Sequence, residues 1–193
     1  RPGSSPSQVD EVLDDALRRA RSGDESGFLE LWRALQPRLL RYLRVHSGEG
    51  CEDVAAETWL QIVRDLPSFI GTADGFRAWL FTIARNRAID AARARAARPV
   101  VPIADVAAVD APALAASAES EAIDRISTSQ ALALVASLPS DQAELVALRV
   151  IAGLDVAAVA RIVGKSPGAV RVSVHRGLRA LSRDPRAQSE EVV

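Results

Sequence analysis

The chain has 193 residues, 24 Lys or Arg against 25 Asp or Glu for a net charge of −1, and a single cysteine. So even a balance gives no global field to select a charged partner, and one cysteine closes no internal disulfide and frames no metal site. No apolar run approaches the roughly 18 residues of a membrane span, and no charged-then-apolar leader opens the chain, which together suit a reducing cytoplasm.

The charge is distributed in blocks. Residues 76–98 hold six Arg and one acid, residues 99–124 five acids and no base, and residues 156–183 six bases and no acid. Two basic segments therefore flank an acidic one.

Strand signals are almost missing, and alanine-rich segments with a helical period dominate, so the fold class is all-α. A first helix is expected over Val9–Ser22, stopping at Gly23. A second covers Glu25–Arg44 with a stripe of Phe28, Leu31, Trp32, Leu35, Leu39, Tyr42 and Leu43, and Pro37 inside it predicts a kink or a break. A third spans Glu52–Leu66 up to Pro67, with Ala55, Trp59, Ile62 and Leu66 inward and Asp53, Glu57 and Gln61 on the opposite side. The loop Pro67–Asp74 carries Phe69, Ile70 and Gly71. The fourth helix, Gly75–Ala97, stops before Pro99; its core face is Phe76, Leu80 and Ile83, while Arg77, Phe81 and Arg85 point elsewhere. Trp79 is read as a core residue. Arginines with nearby aromatics on a surface suit a single strand of nucleic acid, because Arg neutralises phosphate and rings hold bases that have left the stack.

Three prolines, acids and small residues over 99–118 read as an extended linker. The chain thus divides into a helical domain at 1–98, the linker at 99–118, a second helical domain at 119–184 and a polar tail at 185–193. In the second domain a helix covers Glu121–Ala136, and Asp141 is expected to cap the next, which ends at Gly153. Asp155 caps "VAAVARIV", Gly164 stops it, and Pro167 opens a final helix to Leu181 at the one position where a missing N–H does no harm. A short capped helix, a glycine turn and an amphipathic basic helix stand in helix-turn-helix order. Val170, Val174 and Leu178 share the face expected to dock on Val159 and Ile162. That leaves Lys165, Ser166, Arg171, Ser173, His175, Arg176 and Arg179 for the phosphates and base edges of a duplex.

At this point the chain resembles a group IV, or extracytoplasmic function (ECF), sigma factor of bacterial RNA polymerase. "CEDVAAETWLQIVRDLPSF" is similar to the second part of the sigma-2 domain, and "FRAWLFTIARNRAIDAARA" to the segment that recognises and melts the −10 element. "LPSDQAELVALRVIAGLDVAAVARIVGKSPGAVRVSVHRGLRAL" resembles the sigma-4 domain that reads the −35 element. The resemblance covers roughly Glu25–Ser182. It implies a sigma-2-like bundle and a sigma-4-like helix-turn-helix domain joined by the linker. It also implies core RNA polymerase as partner, through the β′ clamp helices and the β flap, and promoter DNA in double- and single-stranded form.

Family members carry a D-x-x-Q-E pattern for the clamp; here it reads Asp53-Val54-Ala55-Ala56-Glu57. The resemblance therefore assigns core binding to Asp53 and Glu57, with Gln61 continuing their stripe. It assigns the −10 element to Phe69 in the base-capturing loop and to Arg77, Arg85, Asn86, Asp90 and Arg93. Many relatives carry Arg where Ser173 stands, which moves base reading toward Arg171 and Arg176. Family members are commonly held by an anti-sigma factor, a further implied partner. No cofactor, catalytic set or metal site is expected: no Gly-rich phosphate loop or Ser-His-acid set is present, and His46 and His175 lie in different domains. A helix-turn-helix regulator with a helical sensor would leave "FRAWLFTIARNRAID" unexplained. A helical protein adaptor would leave the acid-free C-terminal block unexplained.

Overall fold

The structure is a computed structural model that describes residues 8–47, 50–97 and 128–188. All its described regular structure is helical. α1 (Gln8–Arg21), α2 (Glu25–Ser47), α3 (Cys51–Asp65) and α4 (Ala73–Ala97) make the first domain, with a 3₁₀ turn at Leu66–Ser68 before α4. The second contains α5 (128–136), α6 (Ser140–Val146), a π-helical turn (Ala147–Ile151), α7 (Val156–Val163), α8 (Pro167–Leu181) and α9 (Pro185–Gln188). The expected linker at 99–118 and the start of the helix expected from Glu121 lie outside the described residues.

α1 places acids in its first turn and arginines in its last, each complementing the helix dipole, and the chain reverses at Gly23 with φ of 90°. α2 then runs through Pro37 as one helix, so of the kink or break that Pro37 predicted, the break does not occur. Both Pro37 and Arg33, whose carbonyl loses its helical donor there, face solvent, where water can take that bond. The buried residues Leu31, Leu35, Leu39 and Leu43 meanwhile hold both halves of α2 on one core. Trp32 stands at the edge of that stripe, 39% exposed.

α3 buries Ala55, Trp59 and Ile62 as expected, and Leu66 follows them in the 3₁₀ turn. The Trp59 indole donates to Gln36 Oε1 at 2.6 Å and meets Phe28 edge-on. The burial of α4 is broader than its sequence period indicates. Phe76, Leu80 and Ile83 are inside, but so are Phe81, against Tyr42 at a T-shaped 5.3 Å, and Arg77. The expectation that Phe81 and Arg77 point away from the core is thus corrected: α4 is packed by α1, α2 and α3 together, so more than one of its faces is covered.

In the second domain Asp155 Oδ1 accepts the Ala158 amide at 2.6 Å, Gly164 adopts the left-handed conformation at φ 69°, and Ser166 caps α8 through the Ala169 amide. Asp141 is not a cap. Pro139 fills that place with an extended backbone, its carbonyl accepting the Gln142 and Ala143 amides, and Asp141 sits in the first turn of α6. The docked face of α8 is Val170, Val174 and Gly177, while Leu178 is 43% exposed. A Cβ at Gly177 would stand 2.8 Å from a Val146 methyl, so the close approach of α6 rotates the buried face by one residue from the expected Val170–Val174–Leu178 line.

Candidate nucleic-acid and polymerase interface

Two neighbouring rows of α8 are exposed. Arg171, His175 and Arg179 make one, Val172 and Arg176 the other, each spaced by four. Ser173 is half-buried between the exposed rows and the docked face. Lys165 and Ser166 stand at the helix N-terminus, where the positive end of the helix dipole favours phosphate. Lys165 Nζ meets Asp141 Oδ2 at 2.5 Å, and that contact holds the Asp141 carboxyl below its usual range. Val172, half exposed among arginines, was not singled out from the sequence. Its signal was an apolar residue out of phase with the docking face, and a branched methyl side chain there suits contact with a thymine methyl.

The acidic stripe of α3 is present as a surface. Asp53 and Glu57 are exposed and Gln61 half-buried. Arg87 of α4 donates to Gln61 Oε1 at 3.0 Å and stands 3.6 Å from Glu57 Oε2. Beside them Leu60 and Val63 are 71% and 53% exposed, an apolar pair that the sequence reading passed over because it follows no core period.

The residues expected at the −10 element divide into three settings. Asn86, Asp90 and Arg93 are exposed, with Arg93 and Asp90 in a loose 3.8 Å pair. Phe69 is not free: it stacks on Trp79 at 5.0 Å and 19° and meets Phe76 edge-on, which also makes Trp79 part of an aromatic cluster. Next to it Ile70 is 88% exposed. Arg77 is nine-tenths buried between Asp10 at 3.3 Å and Asp74 at 3.2 Å.

Arg85 faces the second domain. Its Nε donates to Glu144 Oε1 at 2.6 Å and its Nη2 to Oε2 at 3.4 Å, with side chains 24% and 18% exposed. Tyr42 and His46 complete this seam. Burial pushes the Tyr42 phenol up, with Glu144 adding to the shift. Burial pulls the His46 imidazole down, opposed by Glu144 and aided by Arg85. A neutral imidazole beside a guanidinium that is already paired avoids a second buried positive charge.

Sequence comparison adds to this geometry. The "Sigma-70 region 2" family matches residues 31–98 and the "Sigma-70, region 4" family residues 129–181. The chain belongs to the ECF sigma factors. It is 33% identical over 180 residues to the ECF RNA polymerase sigma factor SigD of Mycobacterium tuberculosis, covering 89% of this chain and 82% of SigD. It is 32% identical over 171 residues to the ECF sigma factor BldN of Streptomyces coelicolor, covering 88% of this chain and 64% of BldN's length. A solved structure of the sigma factor RpoE with the anti-sigma factor NepR from Bartonella quintana shares the fold at a TM-score of 0.58 and 22% identity, over 86% of this chain and 98% of RpoE.

With regions 2 and 4 both present, this sigma factor directs promoter-specific transcription initiation by RNA polymerase. Region 2 begins inside α2, so α1 lies outside the matched segment. No helix among the described residues is long and apolar enough to cross a membrane.

Proposed function

We propose that α8 reads the −35 duplex with Arg171 and Arg176 on base edges and with Lys165, Ser166 and Arg179 on phosphates. His175 and Ser173 flank that contact. The observation that carries this reading is the exposure of Arg171, Arg176 and Arg179 on a helix whose other face is buried and whose N-terminus is capped. Removing Lys165 is expected to weaken all sequences alike and to reduce the salt slope by about one unit, because it neutralises one phosphate. Binding titrations against −35 variants at two salt concentrations test this; a Lys165→Ala loss confined to one base position would refute it.

In region 2, Asp53, Glu57 and Gln61 face the β′ clamp helices, with Leu60 and Val63 as the apolar part of the contact. Both acids are exposed and one turn apart, so reversing them leaves the core of α3 intact. The Asp53→Lys, Glu57→Lys double variant is expected to lower affinity for core polymerase about tenfold while helicity is kept. Equal affinity, measured by competition for core enzyme, would sink the assignment.

The loop after α3 and the outer side of α4, with Asn86, Asp90 and Arg93, hold the melted −10 strand, and Ile70 at the loop tip meets an unstacked base. Phe69 supports that tip from the aromatic cluster, and Arg77 acts from inside. Arg85 reaches the strand only when its contact with Glu144 opens, so regions 2 and 4 separate on promoter engagement. The protein acts in the cytoplasm as an initiation factor without catalysis of its own. An anti-sigma factor is its expected regulator, since the Bartonella relative is held by one.

A further inference from the structure

α1 is seated on α2 without room to move. A Cβ on Gly27 would stand 2.7 Å from the Ala16 carbonyl oxygen and 2.8 Å from the Ala20 nitrogen, so the two backbones are in direct contact. Ala16, Leu17 and Ala20 fill the rest of that interface. From this fixed base α1 extends two carboxylates across the bundle. Asp14 Oδ1 accepts the amide of Ala73, the first residue of α4, at 2.5 Å. Asp10 faces the Arg77 guanidinium one turn further in, at 3.3 Å.

α4 needs this help because its local cap is weak. Thr72 Oγ1 reaches the Gly75 amide only at 3.4 Å, near the limit for a hydrogen bond. A carboxylate at the positive end of the helix dipole makes a shorter, charge-assisted bond. At the other end of the same loop, Phe69 is clamped by Trp79 and Phe76. Only Ile70, Gly71 and Thr72 lie between the two anchors, and Ile70 is 88% exposed. A three-residue span held at both ends has few conformations left, so its apolar tip is presented in one place before any ligand arrives.

We propose that Asp14, assisted by Asp10, is a positioning residue for the −10 loop, acting from a helix outside the matched region 2. The role rests on the reading of that loop as the site of an unstacked base. Without the carboxylate the start of α4 frays and Ile70 is no longer held toward the strand, so the strand itself must supply the ordering.

The experiment measures the affinity of holoenzyme, assembled from full-length sigma factor and core polymerase, for a fluorescent single-stranded −10 oligonucleotide. Affinity for a −35 duplex and for core enzyme is measured in parallel. Asp14→Ala is expected to weaken the −10 strand five- to tenfold and the other two by less than twofold, and to speed hydrogen exchange at the Ala73 amide. Asp14→Asn, which keeps the acceptor oxygen, is expected to restore most of the loss. A uniform loss in all three affinities would make Asp14 a fold residue only and overturn the proposal. Parent-like −10 binding by Asp14→Ala would also overturn it, leaving the loop reading intact. Failure of the parent holoenzyme to bind the −10 strand at all would remove the loop reading and the proposal with it. Should Asp14→Ala not fold, Asp10→Asn decides the question: it leaves the Ala73 bond in place and must show a smaller loss confined to the −10 strand, and no such loss overturns the proposal.

Discussion

Phe81→Ala is expected to destabilise the protein by about 3–5 kcal/mol, a large share of the roughly 5–15 kcal/mol that holds a typical domain together. Phe81 has no exposed surface, and its ring stands edge-on to Tyr42, which is itself 1% exposed. Truncation opens a cavity where α2 and α4 meet, and the surrounding helices recover only part of the lost contact. Both backbones carry long buried stripes that hold them apart, so collapse into the void is limited. Urea unfolding followed by circular dichroism measures the effect, and Phe81→Leu, which keeps most of the volume, is expected to lose much less. A Phe81→Ala protein with parental stability and a selective defect on the −10 strand would return this ring to the surface, where its position in the sequence had put it.

On the second domain, Arg171→Ala and Arg176→Ala are each expected to cost about 1–3 kcal/mol in −35 affinity and to relax preference at one base position. The two arginines lie in adjacent rows on the exposed side of α8, so the two variants are expected to relax preference at different base positions. Neither reaches into the protein, and their loss leaves Val170 and Gly177 packed as before. The helix should therefore stay folded while its reading changes. A binding titration of each variant against a panel of −35 substitutions separates the roles. Equal weakening on every sequence would make both arginines phosphate anchors. Unchanged binding by both would mean that α8 is not the reading element.

The seam between the two domains is built on a shielded ion pair. Arg85 and Glu144 form a well-aligned pair that is four-fifths shielded from water. A contact of that kind sets a geometry more than it adds net stability, because desolvation offsets most of the attraction. It therefore suits an arrangement that gives way to a stronger competitor, such as a phosphate chain on one side and polymerase on the other.

Much of this protein is legible in its sequence because the signals are local. Helix periods, the glycine stops at Gly23 and Gly164, the Asp155 cap and Pro167 at the first turn all act within a few residues, and each stands where the chain alone indicates. The exposed basic side of α8 and the acidic stripe of α3 follow from the same periodicity, since a side chain's direction on a helix depends only on its neighbours. Tertiary structure decided what depends on neighbours distant in the chain. α4 is enclosed by three helices, which turned Phe81 and Arg77 inward against the two-sided expectation. Gly177 let α6 approach and shifted the docked face of α8 away from Leu178. Asp14 found the start of α4 at a separation of 59 residues, and Arg85 found Glu144 across the seam at the same separation. No periodicity encodes such pairs: a carboxylate on a helix surface has the same local pattern whether it meets water, a distant amide or an arginine of another domain, and only packing chooses among them.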